Sequence, residues 1–174
     1  MTWQITDTVA GTQAIADIDS GVTDPDTSVV KTKHPVGTIV RAKDPTYGEG
    51  EFIYLKGVAS TVVGSWVTYN LDDGTTTLLA ANAIGPVAIS MAANTAATTY
   101  SWYQISGKAV GKCLTLMSDN DQVWITATAG SVDGASVAGD GVNLAKCAAD
   151  AVVGNLYTDF EINRPFVDNI TSFS

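Results

Sequence analysis

Between Val36 and Thr128 the chain is a succession of short β-type runs divided by turn residues, a pattern that leaves little room for any other fold class. The runs are GTIVRA (37–42), EFIYLKGV (51–58), STVVGSWVTYN (60–70), TTTLLA (75–80), PVAISM (86–91), TTYSWYQI (98–105), KAVGKCLTLM (108–117) and QVWITAT (122–128). Each is rich in Val, Ile, Thr or aromatic residues, whose side chains suit a pleated, half-buried surface. Gly, Asp, Asn and Pro fall between them, and no helical pattern of about 10–15 residues intervenes. The expectation is an all-β fold, an antiparallel β-sandwich or barrel with jelly-roll-like connections.

Periodicity within the runs refines this. Phe52, Tyr54 and Val58 alternate with Ile53 and Leu55, so EFIYLKGV is apolar on both faces and belongs in the middle of a sheet. In SWVTYNL, Val67, Tyr69 and Leu71 share one face while Thr68 and Asn70 take the other, as in a half-buried strand. Asp72-Asp73-Gly74 predicts a hairpin turn, Ser106-Gly107 a second, and Asp119-Asn120-Asp121 a third, giving a meander. Beyond Gly130 small residues dominate: VNLAKCAADAVV (142–153) suits a short helix or a pair of short strands, and one further strand is expected around Phe160 and Ile162.

The first 33 residues differ from the rest. Asp7, Asp17, Asp19, Asp24 and Asp26 are the only charges before Lys31, and TDPDT has the composition of a turn or linker. Residues 1–33 are therefore expected to form an extended N-terminal arm that packs on the body or on a neighbouring subunit, beside a β-rich body of residues 34–174 whose C-terminal portion is Gly-rich. Trp3, Ile5, Val9, Ile15 and Ile18 are the arm's apolar anchors, candidates for contact with a partner or a neighbouring subunit.

Charge narrows the function. Only 16% of residues are charged, against about 25% in an average globular protein, which suggests that some surface meets another protein. A net charge of −9 would repel nucleic acid, and no basic stripe with interleaved aromatics offsets it, so neither DNA nor RNA is an expected partner. Lys31, Lys33, Arg41, Lys43 and Lys56 are five of the nine basic residues; they are expected to form a solvated face, with an acidic partner as the alternative. No run approaches the ~18 apolar residues of a membrane-spanning helix. The N-terminus lacks a charged and apolar leader pattern, so the mature protein is expected to begin near Met1 and to be made in a cytoplasm. Cys113 and Cys147 lie outside any CxxC pattern and are expected to be small buried hydrophobes.

Little here suggests catalysis. His34 is the lone histidine and precedes Pro35, which favours an extended loop. A glycosidase pair would have to come from Glu49, Glu51 or the aspartates, most of which sit where Asp serves turns. Asp17, Asp19, Asp24 and Asp26, and separately Asp119 and Asp121, resemble oxygen-ligand cation sites without the full calcium-loop spacing. Tyr100, Trp102 and Tyr103 are candidates for an exposed aromatic patch that would stack sugars. The chain is expected to be no enzyme and to use no cofactor or metal.

The segment HPVGTIVRAKDPTYGEGEFIYLKGVAST (34–61), with GSWVTYN (64–70), ANAIGPVAISMA (81–92) and YSWYQISGKAVGK (100–112), resembles the head decoration (cement) proteins of tailed bacteriophages. The resemblance implies a β-rich homotrimer on the capsid exterior, made in the bacterial host cytoplasm and bound to the major capsid protein. It would hold neighbouring capsid subunits together against the pressure of packaged DNA. A head-fibre or host-surface carbohydrate-binding module is the alternative.

Overall fold

Among the described residues, strands account for all the regular structure. The computed structural model describes residues 1–7, 11–114, 117–152 and 154–169, and among them no residue is helical. The strands in chain order are β1 (Gln4–Ile5), β2 (Ile18–Asp19), β3 (Val22–Thr23), β4 (Val30–Lys31), β5 (Ile39–Asp44), β6 (Gly48–Lys56) and β7 (Trp66–Tyr69). They continue with β8 (Thr76–Leu78), β9 (Gly85–Ser90), β10 (Tyr100–Lys112), β11 (Gln122–Ile125), β12 (Val132–Asp133), β13 (Gly141–Cys147) and β14 (Tyr157–Val167). All but β3 and β4 join one 12-stranded sheet whose pairings are antiparallel, and those two form a separate small ladder. The fold is all-β.

β10 is the spine of the sheet. β6 runs along one of its edges, from Tyr100↔Lys56 to Gly107↔Gly50. Its other edge takes β2, then β9, then β14 in succession, the last from Ser106↔Asn163 to Lys112↔Tyr157. A single long strand with different neighbours along its length lets the sheet turn back over itself, so both faces of its central strands find cover. On β6, Phe52 and Tyr54 pack with Val40, Met91, Trp102 and Ile15, while Ile53 and Leu55 pack on the opposite face with Val67, Ala88 and Tyr103. A third cluster joins Trp66, Val87 and Ile89 to Ala109, Val142 and Phe160, and contains both free cysteines, buried as expected. The reading of β6 as a central strand holds.

Several expectations need correction. Ser106-Gly107 is not a hairpin turn: β10 runs straight through it, with a bulge at Ile105 that shifts its register against β6. Gly107 takes φ 97°, and a Cβ there would lie 2.3 Å from the Glu49 carbonyl oxygen, so glycine serves close strand approach rather than reversal. Asp119-Asn120-Asp121 does turn the chain, but β11 pairs with β12 and β13 instead of β10. The Asp72-Asp73-Gly74 turn is as expected, joining β7 to β8. For 142–153 neither a helix nor a pair of strands is found among the described residues, where β13 is a single seven-residue strand; the Phe160 strand is an eleven-residue ladder central to the sheet. Leu71 departs from the buried face proposed for it and is 73% exposed.

The N-terminal segment lies on its own body. β1 pairs with β5, Gln4 against Lys43 and Ile5 against Ala42. The Trp3 ring meets Phe52 edge-on at 4.9 Å between centroids, and Ile15 is 2% exposed. Of the two places open to the segment, its own body or a neighbouring subunit, the body is the one that receives Trp3, Ile5 and Ile15, against β5 and β6.

Candidate functional site: a charge-paired sheet face

Residues directly opposite in an antiparallel ladder point to the same side of the sheet. The register therefore assembles one outward face from five neighbouring strands, β5, β6, β10, β14 and β13. One rung reads Arg41, Glu51, Ser106, Asn163. The next reads Lys108, Glu161, Lys146, and β11 adds Gln122 opposite Lys146. Two residues further along β5 and β6, Lys43 stands opposite Glu49. On β10, Val110 opposite Asp159 and Lys112 opposite Tyr157 complete the pattern. Alternate residues point inward: Ala42, Ala109, Phe160, Ile162 and Ala145 are buried.

Local chemistry gives this face its character. Arg41 and Arg164 both reach Glu51: Arg41 Nε lies 3.3 Å from Oε1, and Arg164 Nη2 lies 3.0 Å from Oε2. Lys108 Nζ is 2.9 Å from Asp159 Oδ2, and that hydrogen bond raises the Lys108 pKa above its ordinary value. Such solvent-facing pairs stabilise the fold by only about 0–1 kcal/mol each, so their main effect is to fix where charge sits. Leu144 and Arg164 both hold left-handed backbone, φ 59° and 51°, where the β13–β14 register shifts. Bulges of this kind re-aim side chains, and here they open a groove of about 680 Å³ between Lys108, Lys146, Asn143 and Leu144. Ser106 and Asn163 also line a second groove, beside Arg41 and Glu51.

The residues nominated from sequence lie elsewhere. Trp102 and Tyr103 are fully buried and Tyr100 is half-buried, so the exposed aromatic patch does not exist. Their strand is covered on both faces, and Tyr54 meets Trp102 edge-on while His34 lies tilted against it. Trp3, Ile5 and Ile15 are at least half-buried against the chain's own core, whereas Ile18 is 43% exposed. Val9 lies outside the described residues.

The aspartates serve the backbone. Asp19 accepts hydrogen bonds from the Gly21 and Lys33 N–H groups and from the Tyr54 hydroxyl, and Asp24 caps the turn at Asp26 and Thr27. Asp121 accepts from the Ser118 N–H. Among the described residues no group of three His, Cys, Asp or Glu is arranged to hold a metal ion.

Period-2 alternation in KAVGK (108–112) and DFEIN (159–163) marks each strand's polar face, but only the register places those faces side by side. The proposed cluster of Lys31, Lys33, Arg41, Lys43 and Lys56 does not form one face: Arg41 and Lys43 join the lysines of β10 and β13. Comparison with protein-family models, curated proteins and solved structures finds no match to the chain.

Proposed function

We propose that the protein is a structural virion protein that binds the outside of an expanded tailed-phage capsid and stabilises it by bridging major capsid protein subunits. The single observation that carries this is the five-strand face, a broad surface of fixed charges presented by strands that are already hydrogen-bonded into a sheet. The likeness of residues 34–61, 64–70, 81–92 and 100–112 to head decoration proteins supplies the identity of the partner.

The mechanism is binding alone. A surface that fits only the expanded lattice contributes its binding energy to that state and raises the barrier to rupture. Assembly as a homotrimer would engage several capsid subunits at once, so modest contacts gain avidity. The two-sided apolar character of β6 does not argue for a trimer, since the chain covers both faces itself. A different feature supports self-association: Leu71 and Ile84, 73% and 70% exposed, flank a groove with Tyr69 and Pro86.

The carbohydrate-binding alternative loses its stacking platform with the burial of Trp102 and Tyr103. Cosedimentation of the purified protein with capsids lacking it tests the proposal. Saturable binding to expanded capsids with raised heat resistance is expected; absence of binding rejects it.

A further inference from the structure

We infer that the β5–β6–β10–β14–β13 face is the docking surface and that it receives an acidic protein surface. This rests on the binding role proposed above and adds the face used and the chemistry of its partner. Six of the chain's nine basic residues converge here, although the chain as a whole carries −9. Three of the six are already matched: Lys108 by Asp159, and Arg41 and Arg164 by Glu51. Lys43, Lys112 and Lys146 make no ion pair among the described residues. They stand on three different strands, so carboxylates spread over a surface answer them, where a single anion would not. Each of those strands is held in a ladder, so the backbone positions are set before binding and only side-chain freedom is lost on docking.

The same geometry favours protein over nucleic acid. Glu161 stands directly opposite both Lys108 and Lys146, and Glu51 lies between Arg41 and Ser106. A nucleic-acid backbone repeats its negative charge at every step and would set phosphates against these carboxylates. A protein surface with separated Asp and Glu side chains can meet the three lysines and avoid them. Val110 and Tyr157 point to the same side and add the apolar contact typical of an interface centre.

The test uses the full chain and a variant carrying Lys43→Gln, Lys112→Gln and Lys146→Gln together. A control carries Lys31→Gln and Lys33→Gln, away from this face. Poly-L-glutamate, duplex DNA and capsids lacking the protein are the probes. The wild type should bind poly-L-glutamate in a salt-sensitive way, and the triple variant roughly tenfold more weakly with its thermal unfolding unchanged. The control should bind like the wild type.

Equal binding by the triple variant, equal loss in the control, or DNA bound as tightly as poly-L-glutamate overturns the inference. An oligomer seen by light scattering that the triple variant dissociates would give the face to a second copy of the chain and also overturn it. Undiminished capsid decoration by the triple variant removes this face while leaving the capsid role standing. Lysine-dependent binding to poly-L-glutamate by a protein that ignores capsids keeps the face and removes the capsid role.

Discussion

The Tyr54 hydroxyl donates a hydrogen bond to Asp19 Oδ2, joining the N-terminal segment to the middle of the main sheet. The Lys33 N–H donates to the same oxygen at 2.8 Å, and the Gly21 N–H donates to Oδ1 at 2.8 Å. Burial works against the Asp19 charge, but these three donors outweigh it and hold its carboxyl below the ordinary value. Burial, reinforced by the Asp19 charge, raises the Tyr54 pKa.

Removing this contact should destabilise the fold unequally from its two ends. Tyr54→Phe takes away one donor and leaves Asp19 with its backbone partners, at a cost of about 1.5–3 kcal/mol. Asp19→Ala strands the Tyr54 hydroxyl and two N–H groups, and should cost more. Urea unfolding of both single variants and the double variant measures the coupling; additive effects would mean that the two groups do not interact.

Stability should fall on acidification in two separate windows. His34 is 3% exposed with no hydrogen-bond partner at Nε2, and burial lowers its pKa, partly offset by the Asp19 charge and reinforced by Lys33. Both His34 and Asp19 therefore bind protons more readily unfolded than folded, so their contributions are present at high pH and lost as pH falls. The His34 loss begins near 6.5 and the Asp19 loss near 3.8. In His34→Gln the upper window should flatten while the lower one persists; a wild-type profile that is flat below 6.5 contradicts the assignment.

The N-terminal segment should matter to folding. Ile15 is buried against Phe52, Tyr54 and Trp102, and Ile15→Ala should cost about 2–5 kcal/mol. Deleting residues 1–20 removes Ile15, Trp3 and Asp19 together, and should lower the melting temperature and expose Trp102 to fluorescence quenchers. A truncated protein with unchanged melting temperature would show that the segment is an independent arm.

Gly107→Ala should disrupt the pairing of β10 with β6. The new methyl would meet the Glu49 carbonyl and the Gly50 Cα at 2.3 and 3.0 Å, from a backbone at φ 97°. Overpacking of this kind costs about 1–3 kcal/mol, and the unfavourable backbone adds to it. Gly48→Ala, also at positive φ but with open space around the new atom, isolates the backbone contribution. Equal destabilisation of the two would rule out a steric role at Gly107.

Class and local pattern were legible in the sequence because they depend on side chains a few residues apart. Alternation in EFIYLKGV placed β6 in the interior, and Asp72-Asp73-Gly74 marked the turn between β7 and β8. Ser106-Gly107 misled because glycine signals a turn and a close strand approach with the same letter, and only the neighbouring Glu49 backbone separates them. The aromatics of β10 and the anchors of the N-terminal segment misled for a related reason: an alternating strand reveals that it has two faces, not what covers them. The charge-paired face was beyond sequence reading altogether, since Arg41, Glu51, Lys108, Lys146 and Glu161 come from five strands whose adjacency is set by long-range pairing. Composition and periodicity determined an all-β chain of low charge. Strand register, which depends on contacts far apart along the chain, decided which of its charges stand together.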